Sequence, residues 1–207
     1  CALPYELAVD GSSNDERTHF MIRFEARKDV FGHRSAGSPF VAYARTANGE
    51  VRVRNYAVAA GERLEDSWAV TEFPGGVYHL QVYGPNGFFR EFVGSQEDPP
   101  IDVHFDHGRS HGGGNALTGN IELLVANRDR KACTIEVRDN SYGNSAQSRK
   151  LAPGERTTLH IDANKSSGWY DVSIRTAASE RFQKRYAGRV ETGKWTTSDP
   201  AMGRVIG

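Results

Sequence analysis

The strongest candidate for a catalytic nucleophile is a serine in the pentapeptide Gly-Arg-Ser-His-Gly at residues 108–112. This string matches the pattern in which a sharp turn between a strand and a helix exposes a serine hydroxyl. The pattern needs a helix directly after the serine, and the glycines at 112–114 do not favour one. We therefore predict no catalytic residue, and an independent hydrolase built on Ser110 is kept only as an alternative.

A second group of candidates would bind a metal ion, because imidazole and carboxylate groups are typical ligands of Zn²⁺ and Ni²⁺. His104, Asp106, His107 and His111 lie within eight residues of one another. Alternate side chains of a strand share a face, so His104 and Asp106 would lie together while His107 points away. The favoured interpretation is a solvated segment without a metal, and no cofactor is predicted. The polar stretch 10–16 offers oxygen ligands for Ca²⁺ without the EF-hand spacing, so a plain loop is expected there.

Candidate contacts with lipid or a partner are aromatic side chains that the strand pattern leaves outside the core. Phe88 and Phe89 follow a Pro-Asn-Gly turn, and adjacent strand residues face opposite sides, so only one of the two can enter the core. The other is expected at a hairpin tip, where it either enters a lipid interface or packs on the neighbouring domain. Trp169 is expected to be partly exposed, either stacking on a choline or sugar or packing at the rim of the core.

Two cations, Arg90 and Lys184, each lie between two aromatic residues on the same face of a strand. A charge in that position is unusual for the interior of a β-sandwich. Such a cation either blunts an edge strand against aggregation or meets a partner domain. The residues alone do not choose between these two interpretations.

The chain contains an internal repeat. Gly-Glu-Arg at 61–63 recurs at 154–156, an offset of 93 residues, and Val41 aligns with Ile135 at an offset of 94. Other matches, with offsets of 92 to 101, are 76–78 with 168–170, 88–94 with 182–188, and Ile22 with Leu123. This period is longer than that of solenoid repeats, so each copy is expected to be a whole domain.

Apolar residues alternate with polar ones over short segments, and no stretch shows the period of a long helix. In the second copy these segments are 121–125, 133–137, 159–161 and 170–174, separated by turn-forming residues. The sequence therefore predicts an all-β protein of two tandem antiparallel β-sandwich, immunoglobulin-like domains. We assign them to 1–107 and 116–207, joined by a Gly-rich linker at 108–115.

Charge and cysteine content exclude several functions. The chain has 26 basic and 26 acidic residues, so there is no global field to attract nucleic acid. Residues 1–110 carry net −5 and residues 111–207 net +5, so the halves attract each other or a partner, or the basic half faces lipid phosphates. Cys1 and Cys133 suggest no disulfide framework. A start at Cys1 without methionine indicates a fragment of a longer protein.

Several strings in fixed order resemble a known family. They are 138–143 (RDNSYG), 168–172 (GWYDV), 182–188 (FQKRYAG), 190–193 (VETG) and 198–203 (SDPAMG). Together they are similar to the C-terminal repeats of bacterial phospholipases C, the secreted phosphatidylcholine-cleaving type related to acid phosphatases, with haemolytic and non-haemolytic forms. The resemblance is close across 116–203 and looser across the first copy, and the family carries this domain as a tandem pair.

The resemblance implies a parent enzyme that hydrolyses phosphatidylcholine or sphingomyelin to phosphocholine and a neutral lipid outside a bacterial cell. Its catalytic and metal-binding residues would belong to an N-terminal phosphoesterase domain absent from this sequence, so none is assigned here. The expected role is a docking module for that domain, with a phospholipid bilayer as a second partner. The alternative is an adhesin-like sandwich that binds a carbohydrate or a receptor.

Overall fold

A computed structural model describes residues 4–45, 49–110, 117–193, 195 and 197–202. These residues form fourteen β-strands and four single-turn 3-10 helices, with no α-helix among them. The strands are β1 (Leu7–Ser13), β2 (His19–Ala26), β3 (Ser38–Arg45), β4 (Val51–Val58), β5 (Arg63–Ala69), β6 (Val77–Tyr83), β7 (Phe89–Ser95), β8 (Ile101–Arg109), β9 (Leu117–Asn127), β10 (Cys133–Asp139), β11 (Gln147–Leu151), β12 (Arg156–Ile161), β13 (Trp169–Thr176) and β14 (Ser179–Arg189). The 3-10 turns are Gly32–Arg34, Val70–Glu72, Pro74–Gly76 and Asn164–Ser166.

The strands build one large sheet facing two small ones. The large sheet has eight strands in the order β11-β10-β13-β14-β7-β6-β3-β4, and the small sheets have the orders β1-β2-β5 and β12-β9-β8. Every neighbouring pair is antiparallel. The predicted all-β sandwich class is confirmed. Within the described part of the chain, no helix has the length and apolar character needed to cross a membrane.

The alternating sequence pattern explains why each sheet buries one face. In β2, Phe20, Ile22 and Phe24 are fully buried, whereas Met21 and Arg23 between them point outwards. Burying one such side chain contributes about 1.5–3 kcal/mol, so the alternation fixes which face enters the core. The core therefore lies between the eight-stranded sheet and the two small sheets.

The two repeats have the same topology. Strands β1 to β7 correspond in order to β8 to β14, so sheet β1-β2-β5 matches β8-β9-β12. The last strands of both repeats, β7 and β14, pair with each other and place Glu91 opposite Arg185. Core rings also continue across this junction: Phe92 lies 6.2 Å from Tyr186, whose ring stacks on Phe105 at 5.8 Å. The repeats thus share one sheet and one core.

The strand topology places the start of the second repeat at β8. The division proposed at 107/116 assigns most of this strand to the first repeat, and two residues of the proposed linker, Gly108 and Arg109, belong to β8. Arg109 pairs with Leu117 of β9. Ser110 follows the end of β8, and the other linker residues, 111–115, lie outside the described residues. The division into separately folding domains stays a prediction.

One element of the repeat alignment is corrected by the structure. Val41 was aligned with Ile135, yet Val41 faces outwards and is opposite Tyr83, whereas Ile135 is fully buried. The residue equivalent to Val41 is Glu136, which lies opposite Arg175 just as Val41 lies opposite Tyr83. The error is one residue, and in a strand a one-residue shift exchanges the two faces.

Candidate functional site: buried cations and an exposed aromatic face

Arg90 is fully buried at the junction of the two repeats. Its guanidinium donates hydrogen bonds to the backbone oxygens of Phe89 and Ala187, at 2.8 and 3.0 Å, and to the hydroxyl of Tyr170 at 3.1 Å. Its Cζ also lies 4.0 Å from the centre of the Phe88 ring. These contacts hold a positive charge inside the core, where it links strands of both repeats.

Lys184 occupies the corresponding position in the second repeat. In the pairing of β14 with β7, Lys184 lies opposite Phe92, and Arg90 lies opposite Tyr186. Lys184 is also buried. Its Nζ donates to the backbone oxygen of Gly11 at 2.7 Å. Burial lowers the pKa of Lys184 from 10.5 to about 8, against the opposing field of nearby carboxylates.

The edge-strand interpretation of these cations is wrong. Arg90 and Lys184 lie on β7 and β14, which are the two central strands of the eight-stranded sheet, so neither blunts an edge. Both side chains are buried within this chain, and their contact with a partner domain stays a prediction.

The junction of the small sheets carries an ion pair. Nδ1 of His104 lies 2.5 Å from Oδ2 of Asp10, and Arg23 Nη2 lies 3.6 Å from the same oxygen. The hydrogen bond to Asp10 raises the pKa of His104. Burial by itself would raise the pKa of Asp10, but the hydrogen bond and charge of His104 outweigh it and lower that pKa. An open cleft of about 440 Å³ lies over this pair, with Met21 and Leu124 among its lining residues.

The four candidate metal ligands do not converge. His104 is paired with Asp10, while Asp106 accepts a hydrogen bond from Arg27 at 3.0 Å. His107 is buried on the opposite face of β8, and burial lowers its pKa to about 4. No group of three metal-ligating side chains occurs among the described residues. His111 lies outside them, as do the residues of the serine motif that follow Ser110.

The two adjacent phenylalanines have different environments. Phe88 is buried and packs against Phe40, with ring centres 5.8 Å apart, so it cannot contact lipid in the folded protein. Phe89 faces outwards and is half-buried, with its ring 5.0 Å from that of Tyr83 and Arg185 Cζ 5.5 Å above it. Of this pair, only Phe89 is available to a partner.

Phe89 belongs to a larger exposed group that the sequence analysis missed. We call it the aromatic face; it consists of Val41, Tyr43, Val53, Tyr83 and Phe89 on the outer side of β4, β3, β6 and β7. Val53 is 49% exposed and Tyr83 42% exposed, and the rings of Tyr43 and Tyr83 meet edge to face at 5.6 Å. One feature of the sequence could have revealed this face. β3 has apolar residues at both odd and even positions, which indicates a strand with two apolar faces.

Trp169 is half-buried at the contact between the repeats. Its Nε1 donates to the backbone oxygen of Thr197 at 3.1 Å. Its ring covers the turn at Gly87 so closely that a Cβ atom added to this glycine would lie 3.2 Å from the ring. These contacts agree with packing at the rim of the core rather than with an open stacking platform. Trp195, which is 97% exposed, was not singled out from the sequence.

The fold defines a class of protein: an all-β module built from two matching sandwich repeats. The comparison with families makes the assignment specific. Residues 1–95 and 99–189 match the model of the bacterial phospholipase C C-terminal domain, and the chain belongs to this family. The second match begins just before β8, where the strand topology also begins the second repeat.

Curated relatives are whole phospholipases. The chain is 35% identical to a non-hemolytic phospholipase C of Burkholderia pseudomallei, covering 97% of this chain and 27% of the relative. It is 30% identical to a non-hemolytic phospholipase C of Pseudomonas aeruginosa, over 98% of this chain and 28% of the relative. A hemolytic phospholipase C of P. aeruginosa is 33% identical over 61% of this chain and 17% of its own length. This chain therefore spans about a quarter of the relatives that it matches over nearly its whole length.

Among solved structures, red sea bream transglutaminase aligns with 92% of this chain and 32% of its own, at 9% identity and a TM-score of 0.32. That score is too low to show a shared fold.

Proposed function

We propose that this chain is the non-catalytic C-terminal part of a phospholipase C and that it packs on the N-terminal catalytic phosphoesterase region of the same protein. The observation that carries the proposal is the match of both repeats to the C-terminal family model in a chain that covers only 27% of a relative's length. In this proposal the whole protein hydrolyses phosphatidylcholine or sphingomyelin to phosphocholine and a neutral lipid, and a bacterium secretes it.

A bilayer is the second proposed partner, and an exposed aromatic side chain outside the aromatic face favours it. Trp195 is 97% exposed and has the amphipathic character that suits a lipid interface. In the 207-residue chain alone, Phe89 is accessible as well. The glycan-binding alternative receives less support, because the ring of Trp169, on which a sugar would stack, already covers the turn at Gly87.

The experiment places a protease site before residue 4 of the full-length phospholipase. After cleavage, the two pieces are expected to co-elute from a sizing column, and only samples containing the N-terminal piece should release phosphocholine. Separate elution would contradict docking. Phosphocholine release by this chain alone would contradict the non-catalytic role.

A further inference from the structure

The two halves of the eight-stranded sheet differ on their outer faces although they share one fold. In the first repeat, one row across three strands reads Val41, Tyr83 and Phe89. The equivalent row in the second repeat is Glu136, Arg175 and Gln183. In the next row, Tyr43 of the first repeat corresponds to Arg138 of the second, since they lie opposite Gln81 and Ser173 at equivalent positions.

The second repeat shows that the sandwich forms with polar side chains at these outer positions of the sheet. Its outer side chains satisfy one another: Arg138 bonds to Glu136 at 2.9 Å, and Arg175 donates to Gln183 at 2.6 Å. A polar, water-facing outer surface is the ordinary state of an antiparallel sheet with one buried face. The aromatic residues of the first repeat are therefore not needed to form the sandwich.

The aromatic face has the properties of an interface centre. Its rings are fixed against one another, with Tyr83 lying between Tyr43 and Phe89 at 5.6 and 5.0 Å. Preorganised aromatic side chains supply much of the binding energy in protein interfaces, and contiguous exposed apolar groups mark such sites. Arg185 and Glu91 border the group with opposite charges.

The course of the chain indicates which partner reaches this face. Most of the length of the relatives lies outside this chain, and the matching family is a C-terminal domain, so under the proposed function the catalytic part is N-terminal to this chain. Tyr5 and Leu7 line the same small cavity as Pro85 and Asn86 of the turn that connects Tyr83 to Phe89. The first described residues thus lie close to the turn that joins Tyr83 to Phe89, and a partner tethered through them has a high effective concentration near the aromatic face.

We propose that the aromatic face is the surface on which the N-terminal part of the full-length phospholipase packs. This inference rests on the proposed function and names its contact site. The equivalent face of the second repeat stays in solvent.

Hydroxyl-radical footprinting tests the inference on the full-length phospholipase and on this 207-residue chain. The modification rate of Tyr83 is expected to be about fivefold lower in the full-length protein, because an interface centre is excluded from solvent. Equal rates would overturn the proposal. Protection that appears only when phosphatidylcholine vesicles are added would also overturn it and would assign the face to a bilayer.

A pair of matched variants makes the test specific. Tyr83→Arg with Phe89→Gln installs the second-repeat residues in the first repeat, and Tyr43 should then be modified in the full-length protein as fast as in the chain alone. The control, Arg175→Gln with Gln183→Lys, should leave the protection of Tyr43 unchanged. Both double variants of the 207-residue chain should unfold within about 5 °C of its thermal midpoint, which separates loss of docking from loss of folding.

The outcomes distinguish this inference from the function on which it rests. Co-elution of the cleaved pieces with an unprotected Tyr83 would preserve docking and overturn this contact site. Separate elution would overturn both.

Discussion

Replacing Lys184 by methionine tests whether burying the ammonium group of Lys184 lowers the free energy of unfolding. Methionine keeps most of the side-chain volume and removes the charge and the donor to the Gly11 oxygen. At pH 7 the lysine is charged in both the folded and the unfolded chain. The variant loses one hydrogen bond and leaves a buried carbonyl unsatisfied, which costs about 1–3 kcal/mol. It also no longer has the desolvation cost of a buried charge, which acts in the opposite direction.

The pH dependence of the free energy of unfolding separates the effect of the charge from that of the lost hydrogen bond. The folded-state pKa of about 8 lies below the ordinary value of 10.5, so the unfolded chain binds more protons than the folded one between these values. The free energy of unfolding of the wild type should therefore rise with pH in this window, relative to Lys184→Met. The lowered pKa corresponds to roughly 3 kcal/mol at about 1.4 kcal/mol per pH unit, an order-of-magnitude value for a buried group.

Urea unfolding of both proteins at pH 7, 8, 9 and 10.5 provides the measurement. The difference between the two proteins cancels the titration of tyrosines and other groups that both contain. A difference that stays constant across the series would refute the reasoning. It would mean that Lys184 keeps its ordinary pKa and that water reaches its ammonium group.

The remaining predictions concern four positions. Phe88→Ser should lower the free energy of unfolding by about 3–5 kcal/mol, because it empties a core site, whereas Phe89→Ser should cost about 1 kcal/mol or less in urea unfolding; similar losses would place both rings in one environment. In co-sedimentation with phosphatidylcholine vesicles, any binding by the folded chain should depend on Phe89. His104→Gln should cost more at pH 5.5 than at pH 8.5, because the raised pKa of His104 stabilises the fold below its ordinary value of 6.5 and this contribution is lost as pH rises through the folded-state pKa; a loss independent of pH would exclude an ionised pair with Asp10. Gly11→Ala should lower the thermal midpoint by several degrees, since the new methyl group would lie 2.6 Å from a ring of the core; an unchanged midpoint would show that this ring moves aside freely.

The sequence by itself determined the class of fold, the presence of two repeats and the family. Each rests on local information. Alternation along strands such as 121–125 and 170–174 reports which side chains are buried, because the side-chain period of a strand is two. Repeated strings such as 61–63 and 154–156 report duplication without any knowledge of contacts.

Pairing between distant strands was decided only by the tertiary structure. Arg90 and Lys184 have the local pattern of edge residues, and only the pairing of β7 with β14 makes them central and buried. The assignment of β8 to the second repeat likewise depends on its ladder with β9. A strand carries the same alternation whichever neighbour it pairs with, so local sequence does not specify the partner.

The candidate docking surface needed the structure for the same reason. Its side chains come from two pairs of consecutive strands, β3 with β4 and β6 with β7, and only the pairing of β3 with β6 brings Val53 and Tyr43 together with Tyr83 and Phe89. The contrast with the second repeat also depends on register, because a shift of one residue had matched Val41 to a buried isoleucine. Period and composition are local properties of the chain, whereas strand order and register are set by burial summed over the whole sandwich.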